Sequence, residues 1–345
     1  MSGNAEKMRA VDYVEPGQIL ARADASLPTP AAGEVVVQVR ACGICGSDLH
    51  MYRDGSYGDR LTRPTPEGYK VPGHEFAGTI AALGDGVSGW SIGERVVGVT
   101  GFGGAMADYV TVPVNPFQLV RIPDGVSDSD AATTEPMADA LQMVRKAQIK
   151  DGENVVIFGV GLIGLGVVQA IRAKGIKVGA IVAVDVWPAR LKAALKAGAT
   201  HGVNARDGDV FDAVAAITGV ETTYAGTSAK IGVVFDCAGY IKTIKGPPPL
   251  ETALRLIDPG GRIVCFGAFE GAMTVDMSPL IQKQPTIMGS NGYAAEELVE
   301  ALDLMAKGRV NRASLITHHL PIEKAAEAFE AQCAPDAVKV MITMN

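Results

Sequence analysis

The pattern of apolar and polar residues changes character along the chain. The first third carries short alternating segments separated by glycine and proline, which is typical of strands in a small antiparallel barrel or sandwich. From Asp128 onward the apolar positions adopt helical spacing, so we place a domain boundary near Pro136. The strands predicted in the first region cover residues 8–14, 19–22, 34–41, 94–99 and 107–112.

From Glu153 the pattern alternates between strand and helix. The run E-N-V-V-I-F-G is continuously apolar, as strands of a buried parallel sheet are. Counting similar segments as far as residue 290 gives six strands, and this predicts an α/β fold with a doubly wound parallel sheet. After Gly292 the pattern of apolar and polar residues changes again. The closing helices and strands either return to the first domain or extend the edge of the sheet.

The segment Cys42–His50, C-G-I-C-G-S-D-L-H, follows a predicted strand and concentrates reactive side chains. The Cys45 thiolate is a good zinc ligand, and a short helical turn would put Ser47 and His50 on one face, where they can pass a proton. The pair Cys42 and Cys45 also fits a redox motif or half of a structural zinc site. A structural site needs a second ligand pair, and the remaining cysteines are scattered singly.

A second candidate lies at the start of another strand, where V-P-G-H-E-F-A-G-T-I contains His74 and Glu75. A glycine precedes the histidine and allows close approach of the backbone, so we favour a metal-binding role for His74 over a structural one. The preceding segment, Met51–Lys70, is predicted to be a long polar loop that serves either as a substrate wall or as a plain surface excursion.

A glycine-rich turn at residues 159–164, G-V-G-L-I-G, sits between a predicted strand and a predicted helix. The next strand ends at Asp185, which lies 21 residues after Gly164. This arrangement predicts a dinucleotide site in which helix N–H groups bind phosphate and Asp185 accepts hydrogen bonds from the adenosine ribose. A carboxylate there repels a 2′-phosphate, so NAD is favoured over NADP. The candidate cofactor-binding residues in the turn are Gly159, Gly161, Leu162, Ile163 and Gly164.

Composition narrows the classes of function. The chain has 345 residues, enough for two domains, and its net charge of −7 argues against a nucleic-acid or anionic-membrane partner. We find no apolar run that predicts a membrane span or a signal peptide, and five unpatterned cysteines do not form a disulfide framework. The expectation is a soluble cytoplasmic protein.

Taken together, these motifs resemble the zinc-dependent medium-chain dehydrogenase/reductase superfamily and, within it, the polyol and threonine dehydrogenase branch. The resemblance covers nearly the whole chain through C-G-I-C-G-S-D-L-H, P-G-H-E-F-A-G, G-E-R-V, A-D-Y-V, E-P-M-A, G-x-G-x-x-G and P-I-E-K-A-A-E-A-F. It implies a GroES-like β-barrel catalytic domain formed by residues 1–136 and 293–345, and a Rossmann NAD-binding domain formed by residues 137–292.

The resemblance also implies roles for individual residues. Cys45, His74 and Glu135 match the ligands of one catalytic zinc, and Glu75 matches a nearby carboxylate that binds zinc directly in some members. Asp48 resembles the carboxylate that orients the zinc-bound imidazole. The remaining implied roles are a proton relay through Ser47 and His50 and a contact of Arg190 on the adenosine side.

The chain departs from the family in two places. Only ten residues, none of them cysteine, separate Val96 from Ala107, so the lobe that binds a structural zinc in many members is predicted to be absent. The loop Met51–Lys70 is longer than is usual between the first two ligands. Both departures leave the substrate and the size of the oligomer open, although the family implies a homodimer or homotetramer.

The predicted function is therefore zinc-dependent, NAD-linked interconversion of a secondary alcohol or polyol and its ketone or aldehyde. A zinc-free quinone or enone reductase of the same fold is an alternative, which would be expected to lack the set Cys45, His74 and Glu135. A non-catalytic nucleotide-binding protein is a second alternative, against which the intact ligand and relay residues argue.

Overall fold

A computed structural model describes residues 6–243 and 245–344. The chain divides into two compact units, of which the first comprises Met1–Glu135 and Ala294–Asn345 and the second comprises Pro136–Tyr293. The C-terminal segment therefore belongs to the same unit as the N-terminal one. Of the two possibilities left open for the closing elements, they return to the first unit.

The strands alternate with helices only in the middle of the chain. In chain order the strands are β1 (Lys7–Glu15), β2 (Gln18–Ser26), β3 (Glu34–Gly43), β4 (Glu75–Leu83), β5 (Arg95–Val99), β6 (Tyr109–Pro113), β7 (Leu119–Arg121), β8 (Val155–Phe158), β9 (Ile181–Asp185), β10 (His201–Asn204), β11 (Glu221–Thr223), β12 (Gly226–Ser228), β13 (Ile231–Asp236), β14 (Ile257–Cys265), β15 (Thr286–Gly289), β16 (Ile316–Pro321) and β17 (Lys339–Thr343).

The helices are α1 (Gly46–Asp54), α2 (Asp128–Ala131), α3 (Thr134–Ala147), α4 (Leu162–Ala173), α5 (Pro188–Ala197), α6 (Val210–Thr218), α7 (Pro249–Leu256), α8 (Ser278–Lys283), α9 (Ala295–Ala306) and α10 (Ala325–Cys333). Three short 3₁₀ helices cover Gly58–Arg60, Ala313–Leu315 and Ile322–Lys324. Among the described residues none of these helices combines the length and the apolar character needed to span a bilayer.

The first unit is built on a sheet of seven strands in the order β16-β17-β3-β4-β5-β7, with β6 paired to β3 as well. All pairs in it are antiparallel except β16 with β17. The alternating pattern of β3 places Val35, Val37 and Val39 in the core, together with Phe76 from β4 and Phe329 from α10. Both ends of the chain therefore contribute to one core, which carries the segments that precede and follow the candidate metal ligands.

The second unit contains the predicted doubly wound sheet. Its six strands are all parallel and run in the order β10-β9-β8-β13-β14-β15, which is the 3-2-1-4-5-6 order of dinucleotide-binding folds. Every residue of β8, β9 and β13 is buried, because helices cover both faces of such a sheet. The predicted fold class is confirmed.

Some local elements differ from the sequence-based expectation. The segment 51–70 is not one continuous loop, because α1 extends through its first four residues and a 3₁₀ helix covers Gly58–Arg60. A polar helix surface without apolar periodicity conceals this extension in the sequence. The hairpin of β11 and β12 was also not predicted, since its strands of three residues are too short for a periodic signal.

Candidate functional site

Cys45 lies where β3 gives way to α1 and is the N-cap residue of that helix. Asp48, in the first helical turn, accepts hydrogen bonds from the backbone N–H of Cys45 through Oδ2 (2.9 Å) and of Gly73 through Oδ1 (3.3 Å). Burial raises the pKa of Asp48, and the nearby His74 and the two N–H donors oppose that rise. Asp48 thus ties the Cys45 segment to the segment before His74. That it also orients the imidazole stays a prediction.

His74 lies close to Cys45 even though 29 positions separate them in the sequence. Gly73 makes this possible, since its φ of +85° is left-handed and a Cβ there would lie 2.6 Å from Met106 Cγ. Burial lowers the pKa of His74, but a hydrogen bond with Cys45 and the charges of Cys45, Asp48 and Glu135 raise it well above its ordinary value. The imidazole is therefore set among anionic groups.

Three donor atoms converge at this point. One ligand atom each from Cys45, His74 and Glu75 lie within 4.8 Å of one another. Sulfur, imidazole nitrogen and carboxylate oxygen are the atoms that bind zinc in proteins, at about 2.0–2.3 Å each, so their spacing suits a shared ion. Glu75 Oε2 is buried without a hydrogen-bond partner among the described residues. Because buried polar atoms normally have a partner, this oxygen is suited to bind a cation.

Glu135 occupies a different position from these three. It lies in the first turn of α3, and its charge acts on His74, so it is near the cluster. Its carboxylate is nevertheless outside the group whose ligand atoms lie within 4.8 Å of one another. The structure brings Cys45, His74 and Glu75 together directly, and the role of Glu135 as third ligand stays a prediction.

The predicted relay residues both lie on α1 and are three positions apart, which puts them on neighbouring parts of the helix surface. No hydrogen bond joins Ser47 to His50 in the described part of the chain. The ring of His50 packs edge-on against the ring of Tyr57, with 5.9 Å between the centroids. The guanidinium carbon of Arg60 lies over the Tyr57 ring, 4.4 Å from its centroid. The relay role stays a prediction.

The glycine-rich turn in the second unit has the geometry that its spacing predicts. Gly159 has φ of +76°, and a Cβ there would come within 2.8 Å of Ala238. Gly161 caps α4, and a Cβ on Gly164 would overlap the Gly159 carbonyl oxygen. Gly159 and Gly164 require glycine for steric reasons, whereas a Cβ on Gly161 would meet no described atom closer than 4.0 Å. The N–H groups of the first turn of α4, which includes Leu162 and Ile163, have no intrahelical partners.

Asp185 ends β9 beside this turn. Its Oδ2 accepts a hydrogen bond from Val160 N–H at 2.9 Å, and its Oδ1 accepts one from Trp187 N–H at 3.0 Å. A carboxylate has further lone pairs, so both bonds are compatible with a ribose hydroxyl at the same group. Arg190 Nη1 lies 4.0 Å from the place that a Cβ of Gly161 would take. Asp185 and Arg190 therefore both border the turn, and their roles in binding the cofactor stay predictions.

Two residues near the metal candidates were not anticipated. Lys339 in β17 and Arg312 before the second 3₁₀ helix are among the largest fully buried side chains. Lys339 pairs with Glu75 Oε1 and donates to the Ile44 carbonyl at 2.9 Å. The only sequence signal was a cation in an apolar strand, A-V-K-V-M-I, since charged residues are rarely fully buried without a partner.

Two protein families match most of the chain. The profile described as "Alcohol dehydrogenase GroES-like domain" matches residues 31–124, and the one described as "Zinc-binding dehydrogenase" matches residues 163–307. The sorbitol dehydrogenase of Halalkalibacterium halodurans is 29% identical and covers 92% of this chain and 93% of its own. The (R,R)-butanediol dehydrogenase of Bacillus subtilis is also 29% identical, over 92% of this chain and 94% of its own.

Solved structures agree with these matches. A 2R,3R-butanediol dehydrogenase from Bacillus subtilis superposes with a TM-score of 0.82 at 27% identity, covering 98% of this chain and 100% of that one. Two further similar structures carry nicotinamide cofactors. An Escherichia coli alcohol dehydrogenase was solved with NADH (TM-score 0.82, 26% identity, coverage 98% and 99%), and a protein of Sinorhizobium meliloti described as a zinc-binding dehydrogenase was solved with NADP (0.80, 26%, 98% and 100%).

Proposed function

Because this chain belongs to the zinc-type medium-chain alcohol dehydrogenase family, we propose that it oxidises a secondary alcohol or polyol with NAD and reduces the matching carbonyl in reverse. The observation that carries the proposal is the convergence of Cys45, His74 and Glu75. A zinc ion held there would act as a Lewis acid that lowers the pKa of a substrate hydroxyl. Cys45 and His74, with Glu135 or Glu75, would hold it.

The chain's own residues would supply the remaining chemistry. Ser47 accepts the hydroxyl proton and His50 passes it to solvent, since both lie on α1 next to the Cys45 cap. The turn at Gly159–Gly164 holds the cofactor pyrophosphate against backbone N–H groups. Asp185 binds the adenosine ribose and repels a 2′-phosphate, which supports NAD over NADP, although similar structures carry both kinds of cofactor.

The test is metal content per chain on desalted protein, measured alongside NAD and NADP reduction on a panel of polyols, hydroxy acids and simple alcohols. About one zinc per chain, activity lost on chelation and faster turnover with NAD are expected. Persisting activity without zinc would instead indicate a zinc-free reductase of the same fold. Zinc binding with no turnover on any alcohol would favour a non-catalytic nucleotide-binding protein.

A further inference from the structure

Tyr57 adopts a backbone conformation that bulky residues rarely take. Its φ of +66° lies in the left-handed region, and the residue caps the short 3₁₀ helix Gly58–Arg60. A hydrogen bond from Arg60 N–H to the Tyr57 carbonyl closes this turn at 3.0 Å. A conformation of this kind costs free energy, and such conformations are concentrated at sites that bind ligands. The surroundings of the Tyr57 side chain are therefore a place to look for a ligand.

The Tyr57 ring contacts both a predicted relay residue and a cation. It meets the ring of His50 edge-on, with 5.9 Å between the centroids, and the guanidinium carbon of Arg60 lies 4.4 Å from the Tyr57 centroid. Attraction between a cation and the face of an aromatic ring holds an arginine in this position. One aromatic side chain thus links Arg60 to α1, the helix that carries Ser47 and His50.

The guanidinium of Arg60 has no carboxylate partner among the residues that the structure describes. Arg63 is different, because it bonds Glu34 at 2.8 Å while its guanidinium also lies over the ring of Phe102. Arg60 is exposed, and in the described part of the chain its only side-chain contact of this kind is with Tyr57. A guanidinium that is stacked on a ring keeps its N–H donors, and these donors match the oxygens of a carboxylate or phosphate.

The acidic residues of segment 51–70 do not take up these donors. Asp54 accepts a backbone hydrogen bond within the segment at 2.8 Å, and Glu67 forms an ion pair with Lys7 at 2.8 Å. The remaining acidic residue, Asp59, is exposed and is not bonded to the Arg60 side chain. Arg60 is therefore suited to an anion that comes from outside the described chain.

We propose that Arg60 binds the carboxylate or phosphate of an anionic polyol derivative, and that Tyr57 is the positioning residue that holds Arg60 in place. The inference rests on the proposed function, because it names the substrate class of that same reaction. Since Tyr57 links Arg60 to the relay histidine, the anionic group lies several carbon atoms from the hydroxyl that reacts. Segment 51–70 then serves as a substrate wall and is more than a surface excursion.

The test is kcat/KM on matched substrates, namely hexitols, the hexonates that carry a terminal carboxylate, and the hexitol phosphates. In wild type an anionic member should exceed the neutral hexitol about tenfold or more. Arg60→Met should remove that advantage, with a loss of roughly 10- to 100-fold for the anionic substrate that appears mainly in KM. The reason is that a contact remote from the reacting carbon binds the ground state and the transition state alike. Comparison of hexonates with hexitol phosphates identifies which anion is recognised.

Further variants separate charge from position. Arg60→Lys keeps the charge but loses the planar fork, so it should retain part of the advantage. Tyr57→Leu removes the ring that holds the guanidinium and should lower the advantage, whereas Tyr57→Phe keeps the ring and should preserve it. Arg53→Met removes an exposed cation from the last turn of α1 and is the matched control, which should leave the anionic and neutral values unchanged.

Two results would overturn the inference. The first is a wild-type enzyme whose best substrates are neutral alcohols. The second is an equal loss for neutral and anionic substrates in Arg60→Met, which would show that Arg60 does not discriminate between them. Absence of turnover on every alcohol tested would defeat the proposed function instead, so the two failures are distinguishable.

Discussion

The two units of this chain carry their functional residues in opposite ways. In the second unit the cofactor turn is one contiguous segment, Gly159–Gly164, whose demands are steric and fall on the backbone. In the first unit the metal candidates come from three separate segments, and their demands are electrostatic and fall on side chains. The comparison teaches that a backbone site depends on local sequence, whereas a buried charged site depends on which distant segments the fold brings together.

The largest effect is expected from removing the thiolate of the side-chain site. Cys45→Ser should abolish zinc binding and lower turnover by more than about 100-fold, while NAD affinity stays near wild type because the turn lies in the other unit. Metal analysis, steady-state kinetics and NAD titration check this. Cys333→Ser, at a cysteine outside the cluster, is the control, and a fully active Cys45→Ser enzyme would contradict the assignment.

The backbone site can be broken by adding a single carbon. Gly164→Ala would place a Cβ against the Gly159 carbonyl oxygen, so we expect a loss of roughly 1–3 kcal/mol in stability and weaker NAD binding, with zinc content unchanged. Chemical denaturation and cofactor titration measure the two effects. Gly289→Ala has open space around the new Cβ and should leave NAD affinity unaltered. Equal losses in both variants would argue against a steric role for Gly164.

In the cofactor site, the choice between NAD and NADP is expected to depend on the charge of Asp185. Asp185→Ala removes the carboxylate that accepts from Val160 and Trp187, so NAD should bind about 10-fold more weakly. NADP should lose less or gain, since the repulsion of its 2′-phosphate disappears. The measurement is kcat/KM with each cofactor. An unchanged ratio of the two values would remove Asp185 from the basis of NAD preference.

The smallest effect concerns Lys283 in α8, a buried cation that belongs to neither predicted site. Burial lowers the pKa of Lys283 to about 8, although its ammonium group donates to the Leu254 and Arg255 carbonyls at the end of α7. The unfolded chain, with an ordinary lysine pKa of 10.5, therefore binds more protons between pH 8 and 10.5. Stability from this group should rise with pH across that window.

Denaturant unfolding at several pH values measures that slope. The free energy of unfolding of Lys283→Met should depend less on pH than that of wild type between pH 8 and 10.5. The substitution removes the group whose protonation differs between the folded and unfolded states. An identical slope in both proteins would show that Lys283 is not desolvated in the folded protein.

How far the site could be predicted differs between the two regions. The glycines and Asp185 were identified from spacing, since a strand, a turn and a helix that follow one another must meet locally, whereas Arg190 was identified from the resemblance to a family. Cys45, His74 and Glu75 were named as candidates from their positions at strand ends and from the resemblance to a family. Which carboxylates stand next to the thiolate could not be decided in that way, because Glu135 and Glu75 are equally suitable by residue type.

The sequence by itself determined the fold class, the parallel sheet with its cofactor turn, and the residue types available for a metal, because periodicity and steric demands act between near neighbours. Only the tertiary structure decided that β16 and β17 return to the first sheet and that β17 brings Lys339 to Glu75. The physical reason is that charges 264 positions apart interact only after both are buried together, and no local pattern records that requirement.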